Sequence, residues 1–214
     1  MKKGFGFLCL ALLAFAGIGL EAVLAWVIEP PIFGAELENW TTAQHIIHWI
    51  ITCILWGLSA WAVTSIAKRS YGFDIFEKGR KVETWKWILV AVLVIFSLVV
   101  SYLDWNGIKV VKEFNSNGPL KFVFQYIYYC FEVALVTLIL VFGQKAFEEW
   151  FKNKNIPYGG IIVAITWGIG HFMTKDFTTG ILTTIAGLAY GSVYLLVNRD
   201  IKKSYILLWL MFVL

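Results

Sequence analysis

Apolar positions in this chain run in long blocks rather than in alternation. The blocks cover 4–28, 45–66, 87–104, 122–145, 159–174 and 177–197, with a shorter one at 204–214. A helix needs about 20 apolar residues to cross the hydrocarbon of a bilayer. A half-buried strand would instead alternate with a period of two. The pattern predicts an all-α fold, a polytopic transmembrane helix bundle of six to seven helices. At about 1.5 Å per residue the last block covers roughly half the hydrocarbon. It is expected as a half-helix, a tilted cap or a seventh span paired deep in the bundle. The fifth block is also short and contains Gly159, Gly160, Gly168 and Gly170. Such interrupted spans line cavities, because irregular backbone at membrane depth must be satisfied by protein or water. A single integral membrane domain is expected over 1–214, with N-terminal helices over 1–104 and a second helical core over 122–214.

Composition agrees. The chain is 59% hydrophobic and 15% charged, against about 45–50% and 25% in soluble domains. Many of its 11 Trp lie near block ends, as in interfacial belts. The net charge of +4 reflects connecting segments, so the bilayer is the expected environment and nucleic acid is not an expected partner. Lys2 and Lys3 before an apolar run, with Ala14-Phe15-Ala16, have the grammar of a signal peptide. The run continues to Ile28, however, which predicts an uncleaved first helix.

With the N-terminus inside, the inner segments hold Lys2, Lys3, Lys68, Arg69, Lys78, Arg80, Lys81, Lys86, Lys145, Lys152, Lys154, Arg199, Lys202 and Lys203. Only Lys109, Lys112, Lys121 and Lys175 fall outside. This asymmetry predicts a multi-pass cell-membrane protein with a cytoplasmic N-terminus. The first outer segment, 29–44, is expected as a loop with Glu29, Pro30-Pro31, Gly34, Glu36 and Glu38, and it contains the sequon Asn39-Trp40-Thr41. Segment 67–86 is of mixed charge and is expected along the membrane surface. Cys9, Cys53 and Cys130 lie in apolar blocks without CxxC spacing and read as packing residues.

Ionisable residues inside spans are costly there and so are functional candidates. Glu132 lies in the fourth span, where Gln125, Tyr128, Tyr129 and Glu132 share helical spacing. Two readings stand: a general base or proton carrier facing a wet cavity, or a buried acid hydrogen-bonded to a neighbouring helix. Glu21 in the first span either faces the same cavity or snorkels. His45 and His48 open the second span on one face, and His171 closes the fifth. All three fall in the outer leaflet. As a metal site they are weak candidates, since no HExxH accompanies them, and no cofactor is expected. Glu148 and Glu149 read as a solvated helix end, with Glu148 and Lys152 as an i,i+4 pair.

From about residue 122 onward the chain resembles the CPBP family, also called the Abi or CAAX-protease family, of intramembrane glutamic peptidases. Trp167-Gly168-Ile169-Gly170-His171 is similar to the family's FxxxH element, with Trp for Phe, and follows the turn Ile156-Pro157-Tyr158-Gly159-Gly160. Gly180 to Val197, with Gly187 and Gly191, is similar to its small-residue helix, suited to close helix contact. Glu148-Glu149 resembles the paired glutamates of the EExxxR motif, with Asn153 in place of Arg, and Glu132 is a second match. The late HxxxN-type motif is absent. The resemblance implies a hydrolase in which Glu132, or Glu148 and Glu149, activates water and His171 assists. Its substrate would be a membrane-associated peptide or protein.

Three functions follow as expectations: a divergent intramembrane peptidase, a catalytically inactive relative that binds a membrane peptide or partner, and an ion-coupled carrier built on Glu21, Glu132 and the outer histidines.

Overall fold

A computed structural model describes residues 1–77 and 79–214, and among them the secondary structure is helical throughout, without strands. Lys78, one of the cations counted above, lies outside the described residues. Among the described residues seven helices follow one another: α1 (Lys2–Phe33), α2 (Thr42–Tyr71), α3 (Thr84–Asp104), α4 (Lys109–Phe151), α5 (158–174), α6 (Phe177–Leu196) and α7 (Ile201–Val213). Of these, α1, α2, α3, α4 and α6 are long and apolar enough to cross a membrane.

Several boundaries differ from expectation for local reasons. The first helix does not end at Ile28. It passes through a π-turn at Leu24–Ile28 and continues to Phe33, ending at Gly34 in the left-handed conformation (φ 66°). Pro30 and Pro31 fit because they occupy the first turn of the segment after the π-turn, where a missing N–H is tolerated. The second helix starts earlier, at a capping box in which Thr41 and Gln44 satisfy each other's backbone N–H. In α4, Gly118 (φ 69°, ψ 170°) breaks the backbone just before Pro119, so a short arm over 109–117 precedes the long segment. That arm falls in a stretch read from the sequence as connecting segment.

The long segment of α4 is the centre of the molecule. Every residue from Glu132 to Gln144 except Ala134 is buried, as expected for a helix apolar on all sides. It packs against α1, α2, α5 and α7. The first helix meets it through small residues and Phe7, Leu10, Ala11 and Ala14. In contrast, α3 buries only Val90 and lies at the periphery against α6 and α7. Adjacent chain turns gather at two ends of the bundle. The basal end holds Met1, residues 72–77, 79–83 and 152–157, and the α6–α7 turn. The distal end holds the α1–α2 and α3–α4 connections and the α5–α6 turn.

The carbonyls at the C-terminal turn of α7 lie among α3 and α4 rather than in open space. Met211 O accepts from Ser97 Oγ, Phe212 O from Lys109 Nζ, Val213 O from Tyr126 OH and Leu214 O from Ser101 Oγ, at 2.7–3.5 Å. These side chains serve groups that a helix end leaves unpaired, and they pin α7 deep in the bundle.

The α5–α6 contact depends on absent side chains. A Cβ on Gly191 would lie 2.6 Å from the Gly160 backbone, and one on Gly187 would lie 2.7 Å from Ala164 N. Gly191→Val is therefore expected to lower stability by about 1–3 kcal/mol through overpacking, read as a lower thermal midpoint in detergent. Gly19→Ala, with nothing within 4 Å of the added atom, is expected to leave the midpoint unchanged or raise it.

Candidate functional site

The polar groups of the bundle form four clusters, each built on α4. The first is at Glu132. Its Oε1 accepts from Trp167 Nε1 at 2.9 Å, and Trp167 sits in a π-turn at Ala164–Gly168 within α5. A π-turn inserts about one residue into the helical register and so re-aims the indole. One turn later, His171 packs its ring 4.6 Å from the Trp167 ring. Its Nδ1 contacts Trp167 O at 2.8 Å. Glu132 and His171 therefore share Trp167 but have no hydrogen bond to each other.

The second cluster lies at the distal ends of α1, α2 and α4. Tyr128 OH donates to Glu21 Oε1 at 2.6 Å. His48 places Nδ1 2.6 Å from Glu29 Oε2 and Nε2 3.7 Å from Glu21 Oε1. Glu29 is 2% exposed, so it is a buried helical residue and not a loop acid as expected. Two glutamates eight residues apart would differ by about 80° on a regular helix. The π-turn between them removes about one residue of rotation, so both face His48 within about 20°. Glu21 also lies within electrostatic range of Glu132 and of His171.

The third cluster is basal. Arg199 Nε and Nη2 donate to Glu148 Oε1 at 2.9 and 2.7 Å, and Gln144 Nε2 donates to the same oxygen at 2.8 Å. Gln144 also holds the start of α5, through Gly159 N and Ile156 O. The expected Glu148–Lys152 pair is replaced because Glu148 points into the bundle. Glu149 points outward instead, to Lys145 at 3.1 Å and Lys152 at 3.4 Å. Arg199 reaches inward from a tight turn in which Asn198 and Arg199 both have positive φ (56° and 62°). Asp200 follows as the cap of α7. Burial pushes its carboxyl up, but hydrogen bonds from Lys203 prevail and hold it below the usual aspartate value.

The fourth cluster is the hinge of α4. Glu113, on the short arm, accepts from Tyr126 OH at 2.9 Å, Tyr129 OH at 2.7 Å and Gln125 Nε2 at 3.2 Å. The polar face read across the fourth span thus divides. Gln125 and Tyr129 serve Glu113, while Tyr128 faces Glu21 and Glu132 faces Trp167. Sequence reasoning missed Glu113, Lys109 and the role of Arg199. Lys109 and Arg199 fell in connecting segments and were counted only for orientation, and Glu113 lay in the same connecting segment as Lys109.

The site residues expected from the sequence are therefore not gathered in one place. Gln144 and Glu148 meet the start of α5 near Ile156, whereas His171 lies fifteen residues further along it, about 20 Å away. Glu148 and Glu149 cannot act on the same atom as His171; only Glu132 lies near it. Nor do the histidines converge. His48 turns inward, while His45 bonds Thr41 O at 3.1 Å and packs on Trp40 and Trp49. Among the described residues no three His, Cys, Asp or Glu side chains form a metal-holding group.

One apolar groove opens between α2 and α4. It has a volume of about 430 Å³ and its walls include Trp49, Cys53, Ile54, Phe124 and Phe131. Gly57 leaves the notch, since a Cβ there would approach Phe131 to 3.2 Å. A second, polar cavity of about 430 Å³ lies at the basal end beside Arg80, Tyr194 and Arg199. Compared with models of protein families, with curated proteins and with solved structures, the chain matches none.

Removing one member of this partly buried ion pair strands the other, the more buried Glu148. Arg199→Gln is expected to lower unfolding stability by about 1–3 kcal/mol. Adding Glu148→Gln should restore part of that loss, a non-additivity measured by a double-mutant cycle in detergent.

Proposed function

We propose that this chain is a polytopic integral membrane protein of the cell membrane with a cytoplasmic basal end, and that it binds a membrane-associated peptide or protein without cleaving it. Five helices of spanning length and the clustering of cations in the basal turns support the membrane reading and its orientation. The CPBP-like resemblance of residues 122–214 is kept as part of the proposal, in a non-catalytic form.

The observation on which this rests is the separation of Glu148 and Glu149 from His171 along α5. A glutamate that activates water needs a free carboxylate oxygen, a nearby acid or base, and donors for the oxyanion. Glu148 has one oxygen held by Arg199 and Gln144 and lies far along α5 from His171, and Glu149 has both oxygens paired with lysines at the surface. These carboxylates tie helices together or solvate an end. The α2–α4 groove supports the binding half of the reading, because its apolar walls suit a hydrophobic helix or peptide.

Hydrolysis is the second reading, favoured by the shared contact of Glu132 and His171 with Trp167. One experiment separates the two. A photo-cross-linking residue at Ile54 is expected to trap a discrete membrane peptide, with yields for wild type and Glu132→Gln within about twofold. Mass spectrometry should find that peptide intact in both. A peptide cut by wild type and left whole by Glu132→Gln would establish the peptidase, and absence of any trapped peptide would remove the binding reading.

A further inference from the structure

His48 occupies an unusual position: it is 3% exposed and has a carboxylate opposite each ring nitrogen. Nδ1 is 2.6 Å from Glu29 Oε2, and Nε2 is 3.7 Å from Glu21 Oε1. A neutral imidazole carries one N–H and so can donate to only one of them. The other nitrogen would then present a lone pair to a carboxylate. Direct contacts alone satisfy the trio only when it holds one proton beyond neutral histidine and two carboxylates; in the neutral state a water at Nε2 must donate to both the ring nitrogen and Glu21.

A second observation concerns unpaired polar atoms on the trio and on the same face of α2. Glu29 Oε1, Thr52 Oγ1 and Trp56 Nε1 are all buried without a partner among the described residues. His48, Thr52 and Trp56 succeed one another at intervals of four along α2, so they follow one face of that helix. Leaving a buried polar atom unpaired is destabilising, and ordered water with two to four polar partners relieves that cost. The 3.7 Å gap at Nε2 is likewise one that a water can bridge.

We propose that Glu21, His48 and Glu29 form a proton-binding relay at the distal end of the bundle, its gaps bridged by water. Glu21 is the entry, since its side chain is 32% exposed. A proton on the Glu21 carboxyl passes, through water, to His48 Nε2. The Nδ1 proton moves to Glu29 Oε2, and the imidazole returns to its neutral form as the other tautomer. One O–H bond and one N–H bond break while one N–H and one O–H form, so no other reactant is required. Tyr128, on α4, donates to Glu21 and holds it in line. The other titratable groups facing this region are His45 on α2, Lys121 and Glu132 on α4, and His171 on α5. Chains of glutamate and histidine of this kind move protons in membrane carriers. The relay stands independently of whether the α2–α4 groove binds a peptide.

The test is infrared spectroscopy of the full chain in lipid, with carbon-13 glutamate and His45 and His171 replaced by Gln, so that His48 is the only imidazole. The His48 ring band and a carboxylic acid C=O band are expected to change together in one step between about pH 5 and 8. Glu29→Gln should weaken proton affinity at His48 at least tenfold, a displacement of about one pH unit. A ring band that titrates with no accompanying carboxyl change would overturn the relay, as would a Glu29→Gln titration within twofold of its parent. The parent titration alone decides the matter should Glu29→Gln fail to fold.

Discussion

A carboxylate held between helices must find a donor there, and this bundle is organised by that demand. Glu21 of α1 takes the Tyr128 hydroxyl of α4. Glu29 of α1 takes His48 of α2. Glu132 of α4 takes the indole of α5, and Glu148 takes Arg199 from the α6–α7 turn. Each bond joins two different parts of the chain, and three of the four involve α4. Apolar packing brings the helices together, but it is non-directional. Hydrogen bonds to carboxylates are directional and charge-assisted, so they fix rotation and register where Leu and Val surfaces would allow sliding.

The same demand accounts for the irregular backbone. Two π-turns interrupt α1 and α5, one between Glu21 and Glu29 and the other at Trp167. In each case the added residue turns a polar side chain toward its partner. The positive φ values at Asn198 and Arg199 act similarly: a tight turn brings a guanidinium back against Glu148. Strain of this kind persists where the surroundings over-determine it, and the paired carboxylates provide that determination.

Much of the architecture was legible in one dimension. Spans 45–66 and 87–104 fall inside observed helices, and 177–197 overruns its helix by a single residue, because an apolar block of that length has few other uses. Glu132 was legible as a charge where none is cheap, and the close packing at Gly187 and Gly191 as a pair of small residues one turn apart. Partners were not legible. Trp167 is one of 11 tryptophans and lies 35 residues from Glu132. Glu29 reads as a loop acid because two prolines follow it, and only the π-turn turns it inward. Arg199 reads as one more basic residue in a turn, since the strained backbone that aims it has no periodicity to detect. The resemblance in 122–214 drew Glu148 and His171 into one constellation that the length of α5 keeps apart.

The account depends on these carboxylates lying between membrane-crossing helices, and a cysteine-accessibility map tests that most directly. In a chain whose three native cysteines are alanine, single cysteines at Asn39, Ser116, Lys81, Asn153 and Lys202 would be labelled with a membrane-impermeant maleimide in intact and in permeabilised cells; all five positions are exposed. The account predicts labelling at 39 and 116 in intact cells, and at 81, 153 and 202 only after permeabilisation. Labelling of 116 and 153 from the same side would contradict it, because α4 would then not cross and Glu132 would not lie at membrane depth.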